Sequence, residues 1–215
     1  MAVRIVVYGE GSLDDSGEAP ALPPPRAPLR GEHLGAAHVL VQRVLSARIP
    51  EDAIRFESPL RLGARGRARG SNLLVRCTLR ELLSWPLNPP DLAVVLVDQD
   101  DDTTRKATLE GHIAEMSTRT VIGVPTPEFE AWLLADEAAA ARVLGWAPPT
   151  PPAPESLDRE SAKELLRQWI SRGTSPRGQR EQGIRVALAR ELDLSRLKRL
   201  RSFEVFAKEL LRKAP

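Results

Sequence analysis

The stretch that most restricts the fold lies near the middle of the chain. Val94, Val95, Leu96 and Val97 form an uninterrupted apolar run that stops at Asp98-Gln99-Asp100-Asp101-Asp102. A short apolar run bounded by turn-formers predicts a strand buried on both faces, and so a parallel sheet covered by helices. Its end is a cluster of carboxylates at the lip of that sheet. Like charges this close repel and raise one another's pKa unless a cation sits among them. The simpler alternative is a solvated acidic turn, with Asp102 or Thr103 capping the next helix.

The rest of the pattern agrees with that sheet. Residues 3–8 (VRIVVY) are β-branched and aromatic and predict a first strand ending at Gly9-Glu10-Gly11. A Pro-, Gly- and acid-rich stretch over 15–31 reads as a surface insertion. Apolar spacing predicts a helix over 32–48 and a short strand over 52–57. Ser71 is the expected cap of a second helix reaching about residue 84, ended by the Pro86, Pro89 and Pro90 group. A third helix is expected over 103–116 and a strand over 120–124. Thr126 and Pro127 have the chemistry of an N-cap and first helical residue, and Asp136 that of a further cap. The remainder is helical by period. The expectation is an α/β fold: a mostly parallel sheet flanked by helices, with an all-helical C-terminal cap. It divides as a core over 1–145, a proline-rich linker over 146–157 and a cap over 158–215.

Three acidic groups share one topological property. Glu10 follows the first strand, Asp98 and Asp100 the central one, and Glu130 the last. In a parallel sheet these ends lie on one edge, where open α/β folds place their sites. Chance offers another reading, since acids often cap helices after strands. If both are helical, Glu128 and Glu130 point about 200° apart, so at most one of them faces the site, and Glu130 is the choice. Asp98 and Asp100 share a side if the turn stays extended. An oxygen-only donor set, with no histidine near these strand ends, favours Mg²⁺ or Mn²⁺ over zinc. The reaction class suggested is phosphodiester cleavage.

Three segments carry a resemblance: Glu10-Gly11-Ser12-Leu13-Asp14, Val97-Asp98-Gln99-Asp100, and Glu128-Phe129-Glu130-Ala131-Trp132-Leu133-Leu134-Ala135-Asp136. They resemble a bacterial Toprim-like family of undefined function, related to RloB-type proteins and more distantly to the nuclease domains of overcoming-lysogenization-defect proteins. Pro154-Glu155 with Lys163 and Leu165, and Ser202-Phe203 with Phe206, are similar to the same family. The resemblance implies a Toprim-like fold whose Glu10, Asp98 and Asp100 serve Mg²⁺, with Glu130 as an additional acid. It also implies an ATPase partner encoded nearby and a place in anti-phage defence. The long insertion after Asp14 departs from the family pattern and leaves the position of Asp14 open.

Arg61, Arg65, Arg67 and Arg69 punctuate a glycine-rich loop and are candidates for holding a nucleic-acid backbone, as is Lys163 from the helical cap. Each has a plain alternative as a solvated charge. The chain carries 31 Lys and Arg against 29 Asp and Glu, too near balance to imply a nucleic-acid partner by itself. Cys77 is the only cysteine, which excludes an intrachain disulfide and a zinc ribbon and suits a reducing cytoplasm. No apolar stretch is long enough to span a membrane, and the first residues lack the pattern of a signal peptide. Self-association is left open. His33, His38 and His112 lack metal spacing and read as surface residues. Two functions are therefore expected: a Mg²⁺-dependent nuclease, or a non-catalytic adaptor that binds an ATPase or nucleic acid.

Overall fold

The computed structural model describes every residue except 1, 12, 20, 22, 63–67, 85–87 and 175–179, and the backbone alone of residue 159. Four strands, β1 (Val3–Gly9), β2 (Ile54–Glu57), β3 (Leu92–Leu96) and β4 (Thr120–Gly123), form one all-parallel sheet in the order β2-β1-β3-β4. The chain is an α/β protein with a helical C-terminal region. Side chains alternate across the sheet. Ile5, Val7, Leu92, Val94 and Leu96 face one core, while Val6, Tyr8, Ala93, Val95 and Val97 face the other. Burial on both faces is why β3 tolerates no polar residue.

Helix α1 (Ala36–Leu45) joins β1 to β2 on the first face. Helices α2 (Arg76–Leu83) and α3 (Arg105–Ile113) pack on the second. From β1 the chain steps outward to β2, then returns across β1 to β3. The direction of winding therefore reverses between β1 and β3, and their carboxyl ends open onto the crevice where doubly wound sheets bind ligands.

Several sequence-based boundaries are corrected. The helix expected over 32–48 is a 3-10 turn at Gly31–His33 followed by α1. The chain passes so close to Asp14 and Asp15 at Gly35 that a β-carbon there would meet their backbone at 2.5–2.6 Å. Ala37 N–H then donates to the Asp14 carbonyl. Ser71 caps nothing: residues Gly70–Leu74 form a 3-10 turn that buries Leu73, and α2 starts after the extended Val75. Pro86 lies outside the described residues. The stretch read as a surface insertion lies along β2. Leu29 N–H donates to Phe56 O and Ser58 N–H to Ala27 O, which covers an edge that would otherwise be unpaired. His38 is buried rather than exposed, with its ring edge-on to Phe56 at 5.0 Å.

Beyond β4 come α4 (Phe129–Leu133), α5 (Glu137–Leu144), α6 (Arg159–Arg172), α7 (Glu181–Glu191), α8 (Leu194–Leu197) and α9 (Arg201–Lys213). Buried residues of α4–α9 belong to one apolar cluster with α1, β1 and β3. Across the stretch read as a linker, Trp146 Nε1–H donates to Trp169 O at 3.0 Å and the Glu155 carboxylate accepts from Arg201 and Ser202 N–H at 2.7 Å. Trp132 is fully buried, stacks on Phe206 and donates to Ser202 Oγ at 2.8 Å.

Asp136 does cap α5, accepting from Ala138 and Ala139 N–H, and its other oxygen accepts from Asp193 N–H. Gly145 stops the helix in the left-handed conformation. Replacing Asp136 with Ala is expected to cost about 2 kcal/mol, since it removes both a cap and a buried tie to the loop before α8. Urea denaturation checks this, and a loss below about 0.5 kcal/mol would contradict it. No helix among the described residues is long and apolar enough to cross a membrane.

Candidate functional site

Of the acids at the strand ends, Glu10 and Asp98 meet at the crevice between β1 and β3. Glu10 leaves β1 with its N–H donating to Leu96 O at 3.0 Å. Its carboxylate oxygen Oε2 accepts from Asp98 N–H at 2.8 Å. The ends of the first and central strands are therefore tied through the very residues that carry the acids. Asp98 is nine-tenths buried, and its Oδ1 accepts from Phe129 N–H at 2.8 Å, joining it to the start of α4. Burial, followed by the charges of Asp14, Glu130 and Glu10, pushes the Asp98 carboxyl up to about 8, against the lowering effect of the Phe129 hydrogen bond. No described cation is ion-paired with Asp98.

The turn does not stay extended. Asp100 takes a positive φ of 48°, a conformation Asp tolerates better than most residues. Arg105 from α3 reaches back to the Asp98 carbonyl and pairs with Asp100 Oδ2 at 2.9 Å. Asp98 thus turns inward while Asp100 is held by Arg105, so the expectation that they share a side is corrected. Asp101 and Asp102 are exposed, and Asp102 accepts from Thr104 N–H and Oγ–H ahead of α3.

Neither Thr126 nor Pro127 begins a helix. Gln99 N–H donates to Pro125 O and Asp100 N–H to Pro127 O, so residues 125–127 run beside the acidic turn. Helix α4 starts at Phe129 with Glu128 in the capping position. Glu128 and Glu130 are both buried and go to different cations. Glu128 pairs with Lys163 of α6. Glu130 Oε1 pairs with Arg185 Nη2 at 2.7 Å. Arg185, from α7, also holds Asp14 Oδ1 at 3.2 Å and Glu181 Oε1 at 3.0 Å, and only 2% of its side chain is exposed.

Asp14 therefore belongs to the cluster. Burial and the Glu130 charge raise its carboxyl to about 7, opposed by Arg185. Burial pulls the Lys163 ammonium down, but the hydrogen bond and charge of Glu128, with Glu130 and Asp98, leave its pKa above the ordinary value. Lys163 thus reaches the acidic site from the helical cap. Arg69 sits at the rim, 3.6 Å from Asp15 and donating to Ser16 Oγ, while Gly70 N–H donates to Glu10 O. Arg61 donates to Pro23 O at 3.3 Å. Arg65 and Arg67 lie outside the described residues.

Sequence reasoning missed Arg185 and Arg105. The available signal for Arg185 was its place among Gly183, Ile184, Val186 and Leu188, where a helix buries its face. The donor set is hard oxygen throughout, as Mg²⁺ or Mn²⁺ requires. Among the described residues no three such side chains are grouped closely enough to enclose an ion by themselves. Mg²⁺ does not need that cage, since one or two carboxylates, waters and substrate phosphates suffice. Glu10 and Asp98 supply oxygens of that kind, although their contact runs through Asp98 N–H and Glu10 Oε2 also lies 4.0 Å from Arg105 Nη1. Comparison of the chain with protein-family models, with curated proteins and with solved structures returned no match.

Proposed function

We propose that this chain is a Toprim-like, Mg²⁺- or Mn²⁺-dependent nuclease that hydrolyses phosphodiesters of DNA or RNA, working with an ATPase partner in anti-phage defence. The observation that carries the chemistry is the contact between Glu10 and Asp98 at the winding reversal of the sheet. A buried carboxylate raised to about 8, among like charges and with no described cation paired to it, is a site with demand for a cation. The family resemblance supports the fold name, the ATPase and the defence role.

Glu10 and Asp98 are the residues that would hold the ion, with Asp100 alongside on its Arg105 tether. Glu130 joins the site through Arg185, which pairs with it and with Asp14. Bound there, a divalent cation would polarise a phosphoryl oxygen and stabilise the leaving oxygen. Without it, the Asp98 carboxyl retains a proton near neutral pH. Lys163 adds positive charge beside the same acids, where a phosphate backbone would lie.

A second reading, a non-catalytic adaptor of the same fold, is favoured by one observation. Arg185 already neutralises Asp14 and Glu130 and so gives those acids a structural use. Incubation with single- and double-stranded DNA and RNA in Mg²⁺ or Mn²⁺ separates the two. The nuclease should cleave at least one substrate, and Glu10→Gln should slow cleavage by about 100-fold or more. Absence of cleavage in every condition, the ATPase included, would reject the enzyme and leave the adaptor.

A further inference from the structure

A cavity of about 470 Å³ lies beside the acidic turn, between residues 99–103, the end of β4 and the start of α9. Its size falls within the range of small-molecule sites, about 300–1,000 Å³. Part of the lining is apolar: Ile122, Val124, Val205 and Phe206. The rest is polar. Thr126 Oγ–H donates to Gln99 Oε1 at 2.6 Å, which fixes the amide and leaves its N–H groups with no partner among the described residues. Thr103, exposed, adds a hydroxyl.

Apolar groups for a flat face, together with a hydrogen-bonding amide for an edge, match the surface of a nucleobase. A base offers a flat apolar face and an edge of donors and acceptors, and in single strands both are accessible. Lys106 and Arg201 also line the cavity, but so do the carboxylates Asp102 and Glu155, and the two cations are paired with Glu209 and Glu204 at 3.2 Å. That balance favours an uncharged group over a free phosphate. Gln99 is the chain neighbour of Asp98, which puts the cavity next to the acidic turn.

We propose that this cavity is a subsite for one unpaired base of a single-stranded nucleic acid, with Gln99 reading its edge and Val205 lying against its face. The proposal rests on the nuclease reading for its purpose, but its test does not use catalysis. The probe is a short labelled thymidine oligonucleotide, with a uridine counterpart, titrated in EDTA and followed by fluorescence anisotropy.

Val205→Glu places charge in the apolar part of the lining, and Gln99→Ala removes the edge donor without changing charge. Val205 is half-buried, so its variant should fold, and thermal melting verifies this. The expected result is a roughly tenfold loss of affinity for Val205→Glu, the scale of one misfitted contact in an apolar pocket, with a smaller but clear loss for Gln99→Ala. Failure of the wild type to bind either oligonucleotide, or wild-type affinity in Gln99→Ala, would overturn the subsite. Mg²⁺ calorimetry on the same proteins keeps the two ideas apart. Cavity-dependent binding without metal binding would leave the subsite standing and the nuclease reading rejected.

Discussion

Replacing Arg185 with Met should lower stability by about 3–5 kcal/mol, the cost of leaving buried charge without its partner. The guanidinium is buried between Asp14 and Glu130 and links α7 to the loop after β1 and to α4. Its removal leaves two buried carboxylates without their ion-pair partner. The loss should be larger at pH 8 than at pH 5. Asp14, already raised to about 7, is neutral in acid and then needs no counter-charge. Denaturant melts at the two pH values provide the measurement. Adding Glu130→Gln and Asp14→Asn to Arg185→Met should recover much of the loss, because an uncharged cluster has nothing left to compensate. A single variant within about 0.5 kcal/mol of wild type would show that the trio contributes nothing beyond an ordinary surface change.

Asp98→Asn should act in opposite directions on stability and on metal binding. The folded-state pKa of about 8 lies above the unfolded value of 3.8. Between those values the folded protein binds a proton that the unfolded chain does not, so this group's contribution is present in acid and is lost as pH rises through about 8. Each unit of such a shift corresponds to about 1.4 kcal/mol, so the decline amounts to several kcal/mol. Asn keeps the oxygen that accepts from Phe129 N–H and removes the charge. The variant should therefore be more stable than wild type at pH 8 and little changed near pH 4, as pH-dependent unfolding in EDTA will record.

The same variant should lose Mg²⁺ or Mn²⁺ affinity. Partners outside a metal's own ligands already cost about 10–100-fold when mutated, and a ligand should exceed that. Calorimetry at pH 8 compares the two proteins. A stabilised Asp98→Asn with undiminished affinity would remove Asp98 from the metal site and leave it as a strained structural acid.

Local pattern was enough for the sheet. The apolar run ending in acids at Asp98 declares a buried parallel strand, because helix-covered strands exclude polar residues from both faces, and the β-branched run ending at Glu10 declares a second strand despite Arg4 near its start. Strand direction then puts both acids on one edge. The segment Glu130-Ala131-Trp132-Leu133-Leu134-Ala135-Asp136 proved mixed in use. Glu130 reaches the site, whereas Trp132 packs the core and Asp136 caps α5. Their chemistry alone did not separate these roles.

Periodicity could not assign counter-charges. Arg185 lies 171 residues beyond Asp14 and 55 beyond Glu130, and Lys163 likewise pairs with a remote acid, Glu128, on helices whose approach depends on how α6 and α7 pack. Nor could it foresee that Pro125 and Pro127 would accept from the acidic turn and delay α4 until Phe129. Local preferences and sheet direction act over a few residues or one topology, so sequence determined the strands, their acidic ends and their common edge. Ion pairing in a low-dielectric interior depends on distances between segments remote in the chain, so tertiary structure alone decided which carboxylates are balanced and left Asp98 without a described cation.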